Sequence, residues 1–404
     1  MPSVQEARER ILSQVKTTPI ETVALDDSLN RALAADILAD GDYPPFDNSA
    51  VDGFALRAGD ISASSATLSV VADIPAGSAP TVVIQAGQAA RIMTGAQTPQ
   101  GADCVIPIEE TNFNDRQAGT TPPKTVRIAK QMKPGENIRL RGTDMRAGDV
   151  VLKKGRTLKP QDLGLLAALG YTDVSVHKKP RVALMSSGDE LLEAGAPLEP
   201  GKIRDSNSHV LAAALAGAGA EVIRLGLAKD TRESVTAVLD EAIHKKAELI
   251  LSSAGVSVGA FDFVKEAVET NGTLDFWKVN MRPGKPLAFG SYRGIPFIGL
   301  PGNPVSAFVG FEVFVRPTLQ RMSGSMDGDR QRLRVRCAQE VESDGRESYL
   351  RAKIEAIDGV PSAFLAGHQG SGNLLSLVQA DALLIIPAGV KCVPAGSEVD
   401  AILL

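Results

Sequence analysis

Between Asp275 and Ser306 the chain gathers residue types suited to binding oxyanions. Lys278, Arg282 and Lys285 place three cations within eight residues, on a segment stiffened by Pro283 and Pro286. The short apolar run 296–300 then ends in Pro301-Gly302-Asn303-Pro304 and opens an apolar, helix-like segment. A glycine-containing turn at a helix start leaves backbone N–H groups free and pointing outward, which suits an anion. Cations beside such a turn suggest a pocket for phosphate or another oxyanion. The competing reading is a solvated basic loop next to an ordinary tight turn.

Acids fall in the loops that precede this segment: Asp189, Glu190, Asp230 and Asp262. Carboxylates near a phosphate-binding turn can hold a divalent cation that bridges phosphate oxygens. Each could instead cap a helix, a role that contributes about 1 kcal/mol. Asp230 precedes Thr231 at a helix start, and Asp262 lies in the first turn of another helix. Several acids at one sheet edge favour a site over four separate caps. The chain has no Gly-x-x-x-x-Gly-Lys-Ser/Thr phosphate loop and no Gly-x-Gly-x-x-Gly after a strand. Ser187-Gly188 does not make a nucleophile elbow, and no histidine follows in a suggestive position. Chemistry by positioning and charge neutralisation fits better than nucleophilic hydrolysis. In the first half, Asp47, Asp52 and Asp144 follow Pro/Gly-rich turns, and 92–99 is a rigid turn carrying Thr94. Turn chemistry alone accounts for most of that half.

The elements that must position these residues change character along the chain. Residues 3–15 and 26–39 read as helices, the second capped by Asp26-Asp27-Ser28. Short β-runs such as 68–71, 81–84 and 104–107 follow, separated by Gly, Pro and Ser. A helix is expected at 160–169. Beyond Lys178–Arg181, strands at 182–186, 221–227 and 249–253 alternate with helices at 206–218, 231–246 and 261–270. That alternation argues a parallel, doubly wound α/β sheet, where ligands bind at the carboxyl ends of strands. The glycine-rich turns Ser187-Gly188, Gly255–Gly259 and Pro301-Gly302 fall there. A helix at 303–322 and a linker at 323–329 lead into an all-β tail. The expected division is a discontinuous linker and dimerisation domain (1–48 and 136–177), a β-rich insertion (49–135), an α/β domain (178–325) and a small β-barrel-like domain (329–404).

At 404 residues, two to four domains are expected. A net charge of −5 argues against nucleic acid as a bulk electrostatic partner. No apolar run approaches the ~20 residues of a membrane span, and the N-terminus lacks a signal-peptide core, so no membrane partner and a cytoplasmic protein are expected. Three scattered cysteines indicate neither a disulfide framework nor a Cys-based metal site. Charge is distributed in territories: 124–159 carries eleven Lys or Arg against Glu136, Asp144 and Asp149, whereas 40–60 holds five Asp against Arg57. Such territories could face one another across a cleft, or simply be solvated.

Taken together, the turns resemble the MoeA-type molybdopterin molybdenumtransferases, the family that includes the gephyrin E domain. The matching phrases are Pro45–Ala55, Arg91–Ala96 and Arg139–Asp144 in the first half. In the α/β part they are Ser187–Leu191, Gly255–Gly259, Arg282–Pro286 and Gly299–Ser306, and in the tail Gly367–Ser371. They run in family order over essentially the whole chain. The resemblance implies a transferase that inserts molybdate into adenylylated molybdopterin and releases AMP, assisted by Mg2+ or another divalent cation. It also implies an elongated homodimer whose cleft joins the α/β domain of one subunit to the β-insertion of the other. A further implied partner is the upstream molybdopterin adenylyltransferase.

Residue by residue, the resemblance assigns catalytic positions to Asp52, Thr94, Asp144, Glu190, Asp230, Asp262, Lys278, Arg282 and Lys285, with Glu190, Asp230 and Asp262 as the metal set. Substrate-binding positions are Ser187, Gly188, Asp189, Gly255, Val256, Ser257, Gly259, Pro301, Gly302, Asn303, Pro304 and Ser306, with Arg351 and Ser371 in the tail helping the oxyanion. Departures are small: Ser187 stands where Thr is common, Ala254 replaces a frequent Gly, and Arg282 stands where Lys is often seen. Arg keeps the charge but adds a planar fork. Two alternatives remain, a scaffold with reduced catalysis and a tungstate-using paralogue. Loss of Asp52, Glu190, Asp262 or Lys285 would favour the scaffold, and all four are present.

Overall fold

The computed structural model describes residues 1–61, 65–113, 121–253 and 260–404, the side chains of 260–262 excepted. The chain divides into two compact units. One comprises Met1–Ala35, Lys154–Ala167 and Tyr171–Leu404, and the other Asp36–Lys153 with Ala168–Gly170.

The first unit contains the α/β module. Its elements in chain order are β1 (Arg181–Ser187), α1 (Asn207–Gly217), β2 (Glu221–Ala228), α2 (Arg232–His244), β3 (Leu249–Ser253), α3 (Ala260–Asn271), β4 (Gly272–Lys278), β5 (Pro286–Tyr292), β6 (Ile295–Leu300) and α4 (Pro304–Gly310). The sheet order is β2-β1-β3-β6-β5-β4. Period-2 alternation sends Val182, Leu184, Leu249 and Leu251 to the side of α1, and Ala183, Met185 and Ile250 to the side of α2 and α3. Burial on both faces is what near-continuous apolar strands require. The first four strands of that order are parallel, as the alternation implies, while β5 pairs antiparallel with both β6 and β4. The cause is local. Arg293 and Gly294, both at positive φ, form a two-residue turn between Tyr292 and Ile295. So short a loop can only return the chain antiparallel.

The helix expected at 303–322 is continuous but contains a π-helical turn, Phe311–Val315, between Pro304–Gly310 and Arg316–Met322. The tail closes on itself. Strand Glu347–Ile357 pairs with both Val360–Leu365 and Ala382–Ile386, and Arg332–Cys337 and Glu398–Leu403 complete a five-stranded barrel. Closure leaves those strands no open edge. The N-terminal helix, Val4–Gln14, starts with a Ser3/Glu6 capping box.

In the second unit, five strands lie in the order Cys104–Pro107, Gly53–Leu56, Gln88–Ile92, Ala66–Ile74, Thr125–Ile128. Gly53 is required at its place, because a Cβ there would sit 1.9 Å from the Ile106 carbonyl oxygen.

Two local expectations fail. Residues 26–39 are not a helix: a 3-10 turn covers Leu25–Ser28, and Asn30 sits at φ +62°. Ala32 and Leu33 then bridge to Thr157 and Val176, and Ile37–Leu38 pairs with Val150–Leu152. Backbone pairing with distant segments overrides the alanine-rich helix propensity. The β-run at 81–84 reduces to one bridge, Val83 to Gln100. No described helix is long and apolar enough to cross a membrane.

Candidate active site

A cavity of about 590 Å³ opens at the carboxyl ends of the parallel strands. Its walls include Glu190 after β1, Ile203 and Arg204, which pair with Leu191 and Leu192 as a two-stranded ribbon, the start of α1 from Ser206, and Pro286 on β5. The turn Pro301, Gly302, Asn303 and Pro304 forms another side together with Ser306, and Gly372 and Leu374 of the tail complete the lining. Pro304 at the first turn of α4 leaves the opening N–H groups of that helix without intrahelical partners. One of them is already used: Val305 donates its N–H to the Ser371 carbonyl at 3.1 Å. Ser371 therefore docks the tail loop onto the turn through its backbone.

The acids lie at the ends of neighbouring strands. Asp189 donates its N–H to Asp230 Oδ2 at 3.3 Å, and Asp230 returns the same bond to Asp189 Oδ1 at 3.2 Å. Burial pushes the Asp230 carboxyl up; the Asp189 N–H opposes this, and the Asp189 and Glu190 carboxylates reinforce it. Asp230 Oδ1 is enclosed and accepts no hydrogen bond among the described residues. Glu190 closes over Gly188, whose φ is +146° and where a Cβ would lie 2.6 Å from the Glu190 carboxylate. Only glycine lets that carboxylate lie back against the strand end.

Hydroxyls are concentrated here too. Ser186 and Ser253 are register partners across β1 and β3, while Ser187 and Ser252 point to the opposite face. All four Oγ atoms are buried with no partner among the described residues. Donors left open at a strand-end edge suit a polar ligand.

The basic segment does not converge on one point. Lys285 is exposed beside Pro286, and its carbonyl accepts the Val279 N–H at 2.9 Å. Arg282 sits in a short strand beside Glu347–Ser348, and its charge adds to the burial that lowers the Arg351 pKa. Lys278 borders a separate open concavity with Met1, Pro2, Arg10 and Trp277. None of the three forms an ion pair among the described residues. Arg351 is fully buried and spends its fork on Ser376 Oγ and on the carbonyls of His368, Gln369 and Gly370, at 3.0 to 3.4 Å. It organises the tail loop from within.

In the second unit, Thr94 donates both its N–H and its Oγ1 proton to Asp52 Oδ1, each at 2.7 Å. Arg139 Nη2 reaches Asp144 Oδ2 at 2.6 Å. The expected positions Gly255, Val256, Ser257 and Gly259 lie outside the described residues, as does the Asp262 side chain, although Asp262 falls in the first turn of α3. Among the described residues no three His, Cys, Asp or Glu side chains converge as a metal site.

Three family models cover the chain in order: the MoeA N-terminal region (domain I and II) over residues 2–170, a probable molybdopterin binding domain over 183–321, and the MoeA C-terminal region (domain IV) over 334–404. A protein of Nostoc sp. named molybdopterin molybdenumtransferase is 37% identical, across 99% of this chain and 93% of its own length. Molybdopterin molybdenumtransferase 2 of Mycobacterium tuberculosis is 39% identical over 99% of both chains. The chain belongs to the MoeA family. A crystal structure of the molybdopterin biosynthesis MoeA protein from Pyrococcus horikoshii superposes with a TM-score of 0.83 at 29% identity over the full length of both chains. Another from that organism gives 0.79 at 32% identity, covering 99% of this chain and 98% of the other.

Within this MoeA-family chain, the residue-level reading missed part of the cavity wall. Arg204, Asp205, Ser206 and Asn207 all line it. Asp205 is buried and accepts the Ser208 N–H at 3.0 Å, and Asn207 donates Nδ2 to the Gly302 carbonyl at 2.7 Å. The signal was the polar run Asp205–Ser208 at the start of a helix on the strand-end side, which reads as capping alone.

Proposed function

We propose that the protein is a molybdopterin molybdenumtransferase that inserts molybdate into adenylylated molybdopterin and releases AMP. Full-length similarity to relatives carrying that name carries the reading. The strand-end cavity supports it, since an anion-binding turn, open hydroxyls and carboxylates share one edge. The Pro301–Pro304 turn is assigned to the phosphate end of the substrate, with Ser306 and the strand-end serines as further donors. Lys285 and Arg282 attract and orient molybdate, and Lys278 adds to the local positive field. Arg351 and Ser371 act through the tail loop, which they hold against the turn.

Asp230, with one buried carboxylate oxygen unpartnered among the described residues, offers a single ligand to a cation; Glu190 and Asp262 are assigned with it, and the described side chains would have to draw together around the ion. A divalent cation there, Mg2+ or another, would neutralise charge on the adenylate phosphates. Asp52, held by Thr94, and Asp144, held by Arg139, are assigned to the same reaction. We also propose a homodimer, a cytoplasmic location, delivery of substrate by the upstream adenylyltransferase, and the four-part division at 49, 136, 178 and 329. Reconstitution with molybdate and adenylylated molybdopterin, scored by AMP release and cofactor formation, tests the activity, and no turnover by the intact chain would sink it. The same assay with tungstate decides the anion.

A further inference from the structure

One side chain in the strand-end cavity has an orientation that chemistry alone fixes. Asn207, the first residue of α1, is 7% exposed and makes a 2.7 Å hydrogen bond to the Gly302 carbonyl. A carbonyl oxygen only accepts, so the NH2 end of the amide faces Gly302 and Oδ1 faces away from it. No described residue donates to Oδ1, which stays accessible where Asn207 lines the cavity. Two neighbouring side chains on that wall are partly committed to the protein itself. Asp205 Oδ1 accepts the Ser208 N–H, and the Arg204 guanidinium donates to the Ala196 carbonyl at 3.0 and 3.1 Å. Asn207 therefore presents a single oriented acceptor, tied through Gly302 to the turn assigned to the phosphate.

We propose that Asn207 is a specificity-determining residue whose Oδ1 accepts a hydrogen bond from an amino group on a fused heterocycle of the substrate. The inference rests on the proposed function, because adenylylated molybdopterin carries two such rings, the pterin and the adenine. Anchoring the amide on the anion-binding turn sets a fixed offset between acceptor and phosphate, so the ring is measured from its own phosphate. A largely buried acceptor left without a donor is penalised, which makes this contact discriminating as well as attractive.

The test is equilibrium binding of two matched ligand pairs to the full chain. One pair is AMP and the purine ribonucleotide lacking the 6-amino group; the other is a pterin phosphate and its 2-desamino analogue. Wild type should prefer the amino member of one pair by tenfold or more, and the pair that shows it identifies the ring at Asn207. Asn207→Ala should flatten that preference to within about twofold. Should Asn207→Ala fail to fold by its thermal transition, Asn207→Ser carries the same comparison. Absence of preference in an active wild type, or a preference that survives removal of the amide, overturns the inference alone. A wild type that binds none of the four ligands and releases no AMP overturns the proposed function as well.

Discussion

Asp189 and Asp230 each donate a backbone N–H to the other's carboxylate, at 3.3 and 3.2 Å, across the ends of two adjacent parallel strands. The exchange brings two like charges together and leaves Asp230 Oδ1 enclosed without a partner among the described residues. Such an arrangement stores an unfavourable charge that a cation would relieve. Asp230→Asn should lower turnover at least tenfold and move the divalent-cation titration to higher concentration, with molybdate KM little changed. A cation titration that superimposes on wild type would remove Asp230 from the metal set.

Lys285 and Lys278 were equal candidates in the sequence, and the structure separates them. Lys285 adjoins Pro286 on the cavity wall, whereas Lys278 borders a different concavity with Met1 and Arg10. Lys285→Ala should raise the molybdate KM by roughly tenfold, an effect that shrinks as added salt screens the site. Lys278→Ala should change it by less than about threefold. The reverse ranking in steady-state kinetics would move the oxyanion away from the cavity.

Glu312 sits in the π-helical turn, its side chain 1% exposed, with Arg316 and Arg330 both on its carboxylate at 2.6 to 3.3 Å. Burial raises its pKa, but the hydrogen bonds from Arg316 and Arg330 outweigh this and leave the carboxyl below its ordinary value. A depressed folded pKa gives stability that is present above the unfolded carboxyl range and lost as pH falls through the folded value. Glu312→Gln should therefore cost on the order of 3 kcal/mol at neutral pH. Its difference from wild type should fade as both are acidified below the carboxylate range. Denaturant melts at neutral and acid pH give the comparison, and a pH-independent gap would mean that packing rather than charge is lost.

The α/β module was legible because its strands are apolar on both faces and short enough to exclude helices, and because each glycine-rich turn falls at a strand end. The antiparallel β5–β6 pairing was hidden in two residues, Arg293 and Gly294, whose positive φ no hydrophobic pattern reports. Residues 26–39 misread because Ala32, Ala34 and Ala35 favour a helix locally, while the partners that pull them straight, Thr157 and Val176, are far along the chain. Site turns such as Pro301–Pro304 announce themselves by composition. Asn207 does not, since a polar residue at a helix start has a structural use that needs no ligand. Nothing in an alternating strand says which arginine will be walled in, so the sequence does not show that Arg351 is buried.

Thr94 directs two donors at one oxygen of Asp52, fixing a carboxylate at the start of the Gly53–Leu56 strand. Both residues are exposed, so the pair adds little to stability. Thr94→Val keeps the backbone donor and removes the hydroxyl. It should lower turnover roughly tenfold while shifting unfolding by less than about 0.5 kcal/mol, and Thr94→Ser should restore most of the rate. Equal rates for Val and Ser would show that the hydroxyl has no part in the reaction.

Arg351 offers the sharpest separation of charge from geometry. Its guanidinium is fully buried, faces three loop carbonyls and one hydroxyl, and pairs with no carboxylate among the described residues; burial, with Arg282 nearby, lowers its pKa to about 10. Gln369 exchanges side-chain bonds with the Arg351 backbone, so loop and strand hold each other. The same loop supplies the Ser371 carbonyl to the first turn of α4. A lysine would keep the positive charge but cannot span acceptors spaced for a planar fork. Arg351→Lys should therefore fail nearly as badly as Arg351→Ala in turnover, and both should open the 367–373 loop to proteolysis. If Lys instead restores activity with the loop still protected, the charge and not the fork is what the site requires.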